Sequence, residues 1–212
     1  MQEHFMKVER TARYYVVGQP ENAREIWLVV HGYGQLARYF LNHFAAFGKD
    51  RCIVAPEGLS RFYLDPAHSR VGATWMTRED RLHEIEDHIA YLDRIANEQA
   101  RKSAPGTPIN ALGFSQGVAT VSRWATQGST PLDRLVLWAG SLPPELDLDT
   151  LRTWQDLLVD LVLGDQDQYA NKETLEATAQ RMRSAGVPHH THLFQGGHQL
   201  DALTLQRIIT SG

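Results

Sequence analysis

The sequence predicts an α/β domain, a mostly parallel sheet with helices on both faces, and three observations carry that expectation. Short continuous apolar runs such as Ile26–Val30 read as strands buried on both sides. From residue 26 onward these runs alternate with longer amphipathic stretches, the pattern of repeated strand–helix–strand units. Between one such run and the next helical stretch stands Gly113-Phe114-Ser115-Gln116-Gly117, a tight small-residue turn at a strand exit.

Each element has its own signal. Tyr14–Val17 reads as a first strand, ended by Gly18-Gln19-Pro20. Ile26–Val30 is a buried strand. Gln35–Phe47 carries apolar residues at helical spacing and stops at Gly48. Cys52–Ala55 is the next strand, with Cys52 as a small core residue. Glu79–Ala100 is the clearest helix, with Leu82, Ile85, Ile89, Leu92 and Ile95 as its apolar stripe, and His83 and His88 on its solvated face. Ser103-Ala104-Pro105-Gly106 is a turn. Strand Ile109–Phe114, helix Gln116–Gln127, strand Leu132–Ala139 and strand Leu157–Leu163 follow. Helix Lys172–Ala185 closes at Gly186, strand His189–Phe194 comes next, and helix Gln199–Thr210 is the last element. No internal repeat or second domain is visible, so residues 1–212 read as a single domain.

Composition narrows the function classes. The formal net charge is −4 and no Lys/Arg run occurs, so no nucleic-acid surface is expected. No window approaches the ~18 uninterrupted apolar residues of a membrane span, and no leader-like start is seen. The reading is a soluble, cytoplasmic protein with no membrane partner; its oligomeric state has no signal. A single cysteine excludes an internal disulfide.

In parallel sheets the ligand sits beyond the carboxyl ends of the strands. Four strand exits carry reactive residues: His31-Gly32-Tyr33-Gly34, Ser115, Gly164-Asp165-Gln166-Asp167 and Gly196-Gly197-His198. A Gly-x-Ser-x-Gly turn between strand and helix is the nucleophile elbow of the α/β-hydrolase fold, and the order loop, Ser, Asp, His is that fold's order. A serine hydroxyl needs a base to take its proton, which His198 supplies, and an acid to fix the imidazole tautomer. Asp165 and Asp167 both leave the same strand, and residue type leaves either as that acid. The backbone N–H groups of Tyr33 and Gln116 are the expected oxyanion donors. Trp75 and Met76 are candidate pocket residues, with Tyr63, Leu142 and Tyr169 as weaker ones, whereas Phe114 is expected in the core. No cofactor is required. No metal is expected either, because no His-Glu-x-x-His or comparable spacing occurs and His189-His190-x-His192 reads as a polar strand end.

These motifs, together with Ala55-Pro56-Glu57-Gly58 and Ala73-Thr74-Trp75-Met76, resemble the phospholipase/carboxylesterase group of α/β-hydrolases, which includes the acyl-protein thioesterases. The likeness spans about residues 26–205. It implies a serine hydrolase acting on a small-molecule ester or thioester, without metal or organic cofactor. It further implies Asp167, the second carboxylate of Gly-Asp-x-Asp, as the acid, and a structural role for His31; Asp165 would then bond loop amides. The stretch between Ala139 and Trp154 leaves little room for a lid or acyl-binding insert, and Val118 stands where thioesterases of the group usually have glycine. Both departures point to small or medium acyl groups. The competing classes are a non-catalytic binding protein on the same fold, and a peptidase or acyltransferase.

Overall fold

The apolar runs become strands and the amphipathic stretches become helices packed on them. The computed structural model describes residues 1–211. In chain order these form β1 (Tyr14–Val17), β2 (Ile26–Val30), α1 (Ala37–Phe40) continued by a 3-10 segment (Leu41–Phe47), β3 (Cys52–Pro56), β4 (Ser60–Tyr63) and β5 (Val71–Thr74). Then follow α2 (Arg81–Ala100), β6 (Ile109–Phe114), α3 (Gln116–Gln127), β7 (Arg134–Trp138), α4 (Leu148–Arg152), β8 (Leu158–Gly164), α5 (Lys172–Ala185), β9 (His189–Phe194) and α6 (Ala202–Thr210).

Seven strands make one sheet in the order β1-β3-β2-β6-β7-β8-β9, and β4 with β5 forms a separate hairpin. β1 runs antiparallel to β3 at one edge; every other neighbouring pair in the large sheet is parallel. β2, β3, β6 and β7 are buried at every position, so their sequences are predominantly apolar rather than alternating, with Asn110 and Arg134 as buried polar exceptions. Helices cover both faces. Leu92 of α2, Val121 and Trp124 of α3 and Met182 of α5 pack on one face with Leu28, Val54 and Leu135. Phe40 of α1 and Leu205 and Ile208 of α6 pack on the other with Trp27, Val136 and Val162. Cys52 is fully buried in β3, and burial pushes its thiol up to about 11, the behaviour of an inert core residue.

The structure departs from the sequence reading in four places. Only Ala37–Phe40 of the expected helix Gln35–Phe47 is α-helical; the rest is 3-10. That stretch lacks a side-chain N-cap, and packing of Phe40 and Phe44 onto the sheet sets its winding in place of intrinsic propensity. Leu82 leaves the stripe of α2 and is 67% exposed. The first turn of α2 is held by polar contacts: Glu84 accepts hydrogen bonds from Thr77 N at 2.5 Å and from Ser60 Oγ at 3.3 Å. His88 is not on the solvated face; it is fully buried between Ile85 and Leu92, three residues after one and four before the other. Finally, the last helix starts at Ala202 rather than Gln199, because Asp201 caps it by accepting from Thr204 N. The hairpin β4–β5 and the short α4 have no counterpart in the sequence reading.

Candidate active site

Ser115 sits between β6 and α3 with φ 55° and ψ −116°, a left-handed backbone that a serine adopts only under tight constraint. The constraint is visible on both sides. A Cβ on Gly113 would stand 2.3 Å from Gly117 O, and one on Gly117 would stand 2.3 Å from Val30 O. Glycine at both places lets β6, α3 and β2 converge. Ser115 N donates to Trp138 O at 2.9 Å, and a Cβ on Gly140 would stand 2.5 Å from Ser115 O. The elbow is therefore clamped by the exits of three strands: β2, β6 and β7.

The structure brings Ser115, His198 and Asp167 into one hydrogen-bonded chain. His198 Nε2 lies 2.9 Å from Ser115 Oγ, and His198 Nδ1 lies 2.8 Å from Asp167 Oδ2. A carboxylate only accepts, so Nδ1 carries the proton and Nε2 presents its lone pair to the serine hydroxyl. The Asp167 side chain is 0% exposed. Its other oxygen accepts from the N–H groups of Tyr169 at 2.8 Å and Ala170 at 3.0 Å, which fixes the carboxylate. Asp165 points elsewhere, accepting from Gly196 N at 3.0 Å on the exposed side of the loop. It ties the acid loop to the loop that carries His198. Phe114 and Tyr169 hold the imidazole, with ring centroids 4.9 and 4.8 Å away.

The loop after β2 lies against Ser115. A Cβ on Gly32 would stand 3.1 Å from both Ser115 Cβ and Phe114 Cδ1. Gly32 N donates to Gln35 Oε1 at 2.7 Å, Gly34 N to Ala73 O at 2.9 Å and Gln35 N to Gly32 O at 3.2 Å. The Tyr33 N–H, between them, has no acceptor among the described residues. Gln116, first residue of α3, likewise has a free N–H by the geometry of a helix start. Both candidate oxyanion donors are thus unspent.

His31 is the anchor beneath that loop. It is fully buried, its Nε2 accepts from Gly58 N at 3.0 Å, and its Nδ1 therefore donates to Gly32 O at 2.7 Å. Burial lowers its pKa, which keeps it neutral. Trp75 donates its indole N–H to His31 O at 2.9 Å and is 2% exposed. So Trp75 supports the loop from within the core and does not line an open pocket, unlike the sequence expectation. Met76 is half-buried against the same core, and its carbonyl accepts from Gln116 Nε2 at 3.0 Å. Of the weaker candidates, Leu142 is buried, Tyr63 is exposed on the hairpin, and Tyr169 is exposed over His198. Phe114 is in the core as expected.

Several supporting groups escaped sequence reasoning. The Gln116 side chain bridges Thr74 Oγ1, Trp75 N and Met76 O, pinning the end of β5 to the elbow. Gln35 organises the loop after β2, and β5 packs so closely on it that a Cβ on Gly72 would stand 2.5 Å from Gly34 O. Gln116 lies inside the Gly-x-Ser-x-Gly motif, but the motif leaves that position open, and these side-chain roles are defined only once β5 reaches the loop. Among the described residues, the one set of three His, Asp or Glu ligand atoms lying within 4.8 Å of one another is Asp160, His190 and His192, apart from Ser115.

A family model described as phospholipase/carboxylesterase matches residues 13–211. Among solved structures, esterase PE8 is similar at a TM-score of 0.73 and 19% identity, covering 94% of this chain and 98% of that one. Zea mays acyl-protein thioesterase 2 is similar at 0.70 and 15% identity, covering 93% and 96%. A Bacillus cereus carboxylesterase is similar at 0.68 and 16% identity, covering 93% and 91%. At these identities the likeness to the solved structures is one of fold. No curated protein matches the chain significantly.

Proposed function

The chain belongs to the phospholipase/carboxylesterase family of carboxylic ester hydrolases, and from that membership we propose that it cleaves small to medium carboxylic esters or thioesters through Ser115, His198 and Asp167. One observation carries the reading: the continuous chain Ser115 Oγ, His198 Nε2, His198 Nδ1, Asp167 Oδ2, with contacts of 2.9 and 2.8 Å, on a serine held at φ 55°.

The chemistry follows from those atoms. Ser115 Oγ attacks the acyl carbon while His198 Nε2 takes its proton. Asp167 stabilises the imidazolium and keeps the ring oriented. The carbonyl oxygen becomes an oxyanion, met by the Tyr33 and Gln116 N–H groups; one such donor contributes about 3–4 kcal/mol to the transition state in related chemistry. Collapse expels the alcohol or thiol, which leaves with the proton from Nε2. Water then attacks the acyl-enzyme by the same route, with His198 again the base, and frees the carboxylic acid.

The surroundings favour modest acyl groups. Tyr33, 61% exposed, stands on the loop beside Ser115, and Tyr169, 81% exposed, stands over His198. The apolar cavity beside Gly140, lined by Leu137, Leu142 and Leu163 and by none of Ser115, His198 or Tyr33, has a volume of about 10 Å³ and adds no acyl-binding space to the site. That is room for one water and not for an alkyl chain.

The test pairs fluorophosphonate labelling with turnover of p-nitrophenyl acetate, butyrate, octanoate and palmitate. Labelling of the wild type and not of Ser115→Ala, with turnover best on the short esters, is the expected result. Absence of both labelling and turnover in folded wild type overturns the proposal and favours a non-catalytic binding protein.

A further inference from the structure

A second group of chemistry-bearing side chains lies on the same sheet, at the end of β8 remote from Asp167. In the parallel ladder Asp160 is paired with His190 and Val162 with His192. Residues two apart on a strand share a face, so His190 and His192 of β9 lie on one side with Asp160 of β8 between them. The Asp160 side chain is fully buried, yet β9 is an edge strand and leaves His190 63% exposed. Asp160 Oδ1 lies 2.7 Å from His192 Nε2 and 3.7 Å from His190 Nδ1. Its Oδ2 accepts from Arg134 Nε at 2.6 Å.

We propose that Asp160, His190 and His192 bind a late first-row divalent cation of the zinc class, with water completing the coordination. The donor set selects the ion: two imidazoles and one carboxylate suit zinc, nickel or copper and not magnesium or calcium. The three ligand atoms already fall within 4.8 Å of one another. An ion with bonds of about 2.0–2.2 Å holds tetrahedral ligands roughly 3.3 Å apart. Reaching that spacing asks the His190 ring, open to solvent, to turn slightly inward and the His192–Asp160 contact to open slightly. A neutral His192 moves its proton from Nε2 to Nδ1, so that its lone pair faces the ion.

Arg134 gives the carboxylate the orientation this requires. It holds Oδ2 and is itself fixed by Ile208 O at 2.8 Å and Ser211 Oγ at 3.1 Å, leaving Oδ1 turned toward the histidines. Such outer partners are the usual means of aiming a ligand. The same guanidinium opposes a second cation and so weakens the affinity. A bound ion would fasten edge strand β9 to β8, the two strands whose exits carry His198 and Asp167. The site is independent of the proposed hydrolysis.

The experiment is calorimetric titration of Zn²⁺ into tag-free, chelator-stripped full-length protein at pH 7.5, with Cu²⁺ electron paramagnetic resonance reporting nitrogen ligands. One equivalent is expected to bind the wild type, to raise its Tm, and to show nitrogen coupling. His190→Ala, at an exposed position, should weaken binding at least about tenfold and abolish the Tm rise, whereas His198→Ala should leave binding unchanged. His192→Gln, which can still donate to Asp160, should also lose the site while remaining folded. The proposal is overturned if no saturable uptake occurs below about 1 mM, or if His190→Ala binds within about twofold of wild type. Uptake abolished by His198→Ala and spared by His190→Ala would overturn it equally.

Discussion

Replacing Asp167 by Asn isolates the acid, because the structure shows what each atom of the new side chain must do. Asp167 Oδ1 accepts two backbone N–H groups, at 2.8 and 3.0 Å. An asparagine keeps both bonds only by placing its carbonyl oxygen there, so its NH₂ faces His198 Nδ1. Two donors cannot share that contact. The imidazole answers by moving its proton to Nε2, and Ser115 Oγ then faces an N–H in place of a lone pair. The base is lost while the shape is kept. For this geometry the acid-to-amide change lowers kcat about 10⁴-fold, roughly 5.5 kcal/mol of transition-state stabilisation. Asp165→Asn is the internal control: its single bond to Gly196 N, on the exposed side, is equally available to an amide oxygen, so only a few-fold change is expected. The assay is kcat/KM on p-nitrophenyl butyrate at pH 8, per fluorophosphonate-titratable site, with thermal melts confirming the fold. A loss at Asp165→Asn equal to or larger than that at Asp167→Asn refutes the reasoning. So does an Asp167→Asn enzyme retaining more than about a tenth of wild-type kcat.

Three further outcomes follow from the packing. Burial holds His88 at about 4, below its unfolded value of about 6.5, so the unfolded chain takes up the proton first as pH falls. Stability is complete above pH 6.5 and declines toward pH 4, by about 2 kcal/mol between pH 7.5 and 5; urea unfolding of His88→Leu should show a flatter acid limb, with His31 supplying a residual slope of the same sign. Gly117→Ala drives a Cβ to within 2.3 Å of Val30 O and should destabilise by about 3 kcal/mol or more, read as a lowered urea midpoint. Trp75→Phe removes the bond to His31 O and leaves that carbonyl unpaired, so about 1–3 kcal/mol of stability should be lost. Its preference among ester chain lengths should not change, since Trp75 faces the core; a shifted preference would restore it as a pocket residue.

The strands of the sheet were legible because parallel strands buried on both faces are written as unbroken apolar runs, as in Ile26–Val30 and Cys52–Ala55. The reactive residues were legible because each stands at the exit of such a run. What escaped depends on contacts between distant segments. The hairpin β4–β5 is only four residues per strand, and it is held by distant contacts such as Gly72 lying on Gly34 and Ala73 bonding Gly34 and Gln35. Trp75 reads as a loop aromatic in the sequence, and only the fold brings His31 O to its indole N–H. His88 is a different failure: its spacing from Ile85 and Leu92 does place it on the buried face, and residue type overrode periodicity. Asp160 within β8 reads as an interruption of an apolar strand; only the register with β9 gives it partners.

The order of the strands in the sheet also has a consequence for biosynthesis. The chain is made from its N-terminus, so the loop after β2 and the serine after β6 emerge well before β8 and β9. A nascent chain complete through α5 holds the partners of β1, β3, β2, β6, β7 and β8, and domains fold as units as they emerge. Such a chain presents Ser115 with no imidazole beside it, since His198 arrives only with the loop beyond the edge strand β9. Under the proposed chemistry the incomplete chain is a harmless one: it displays a hydroxyl but no hydrolase, and reactivity waits for β9 and the loop beyond it.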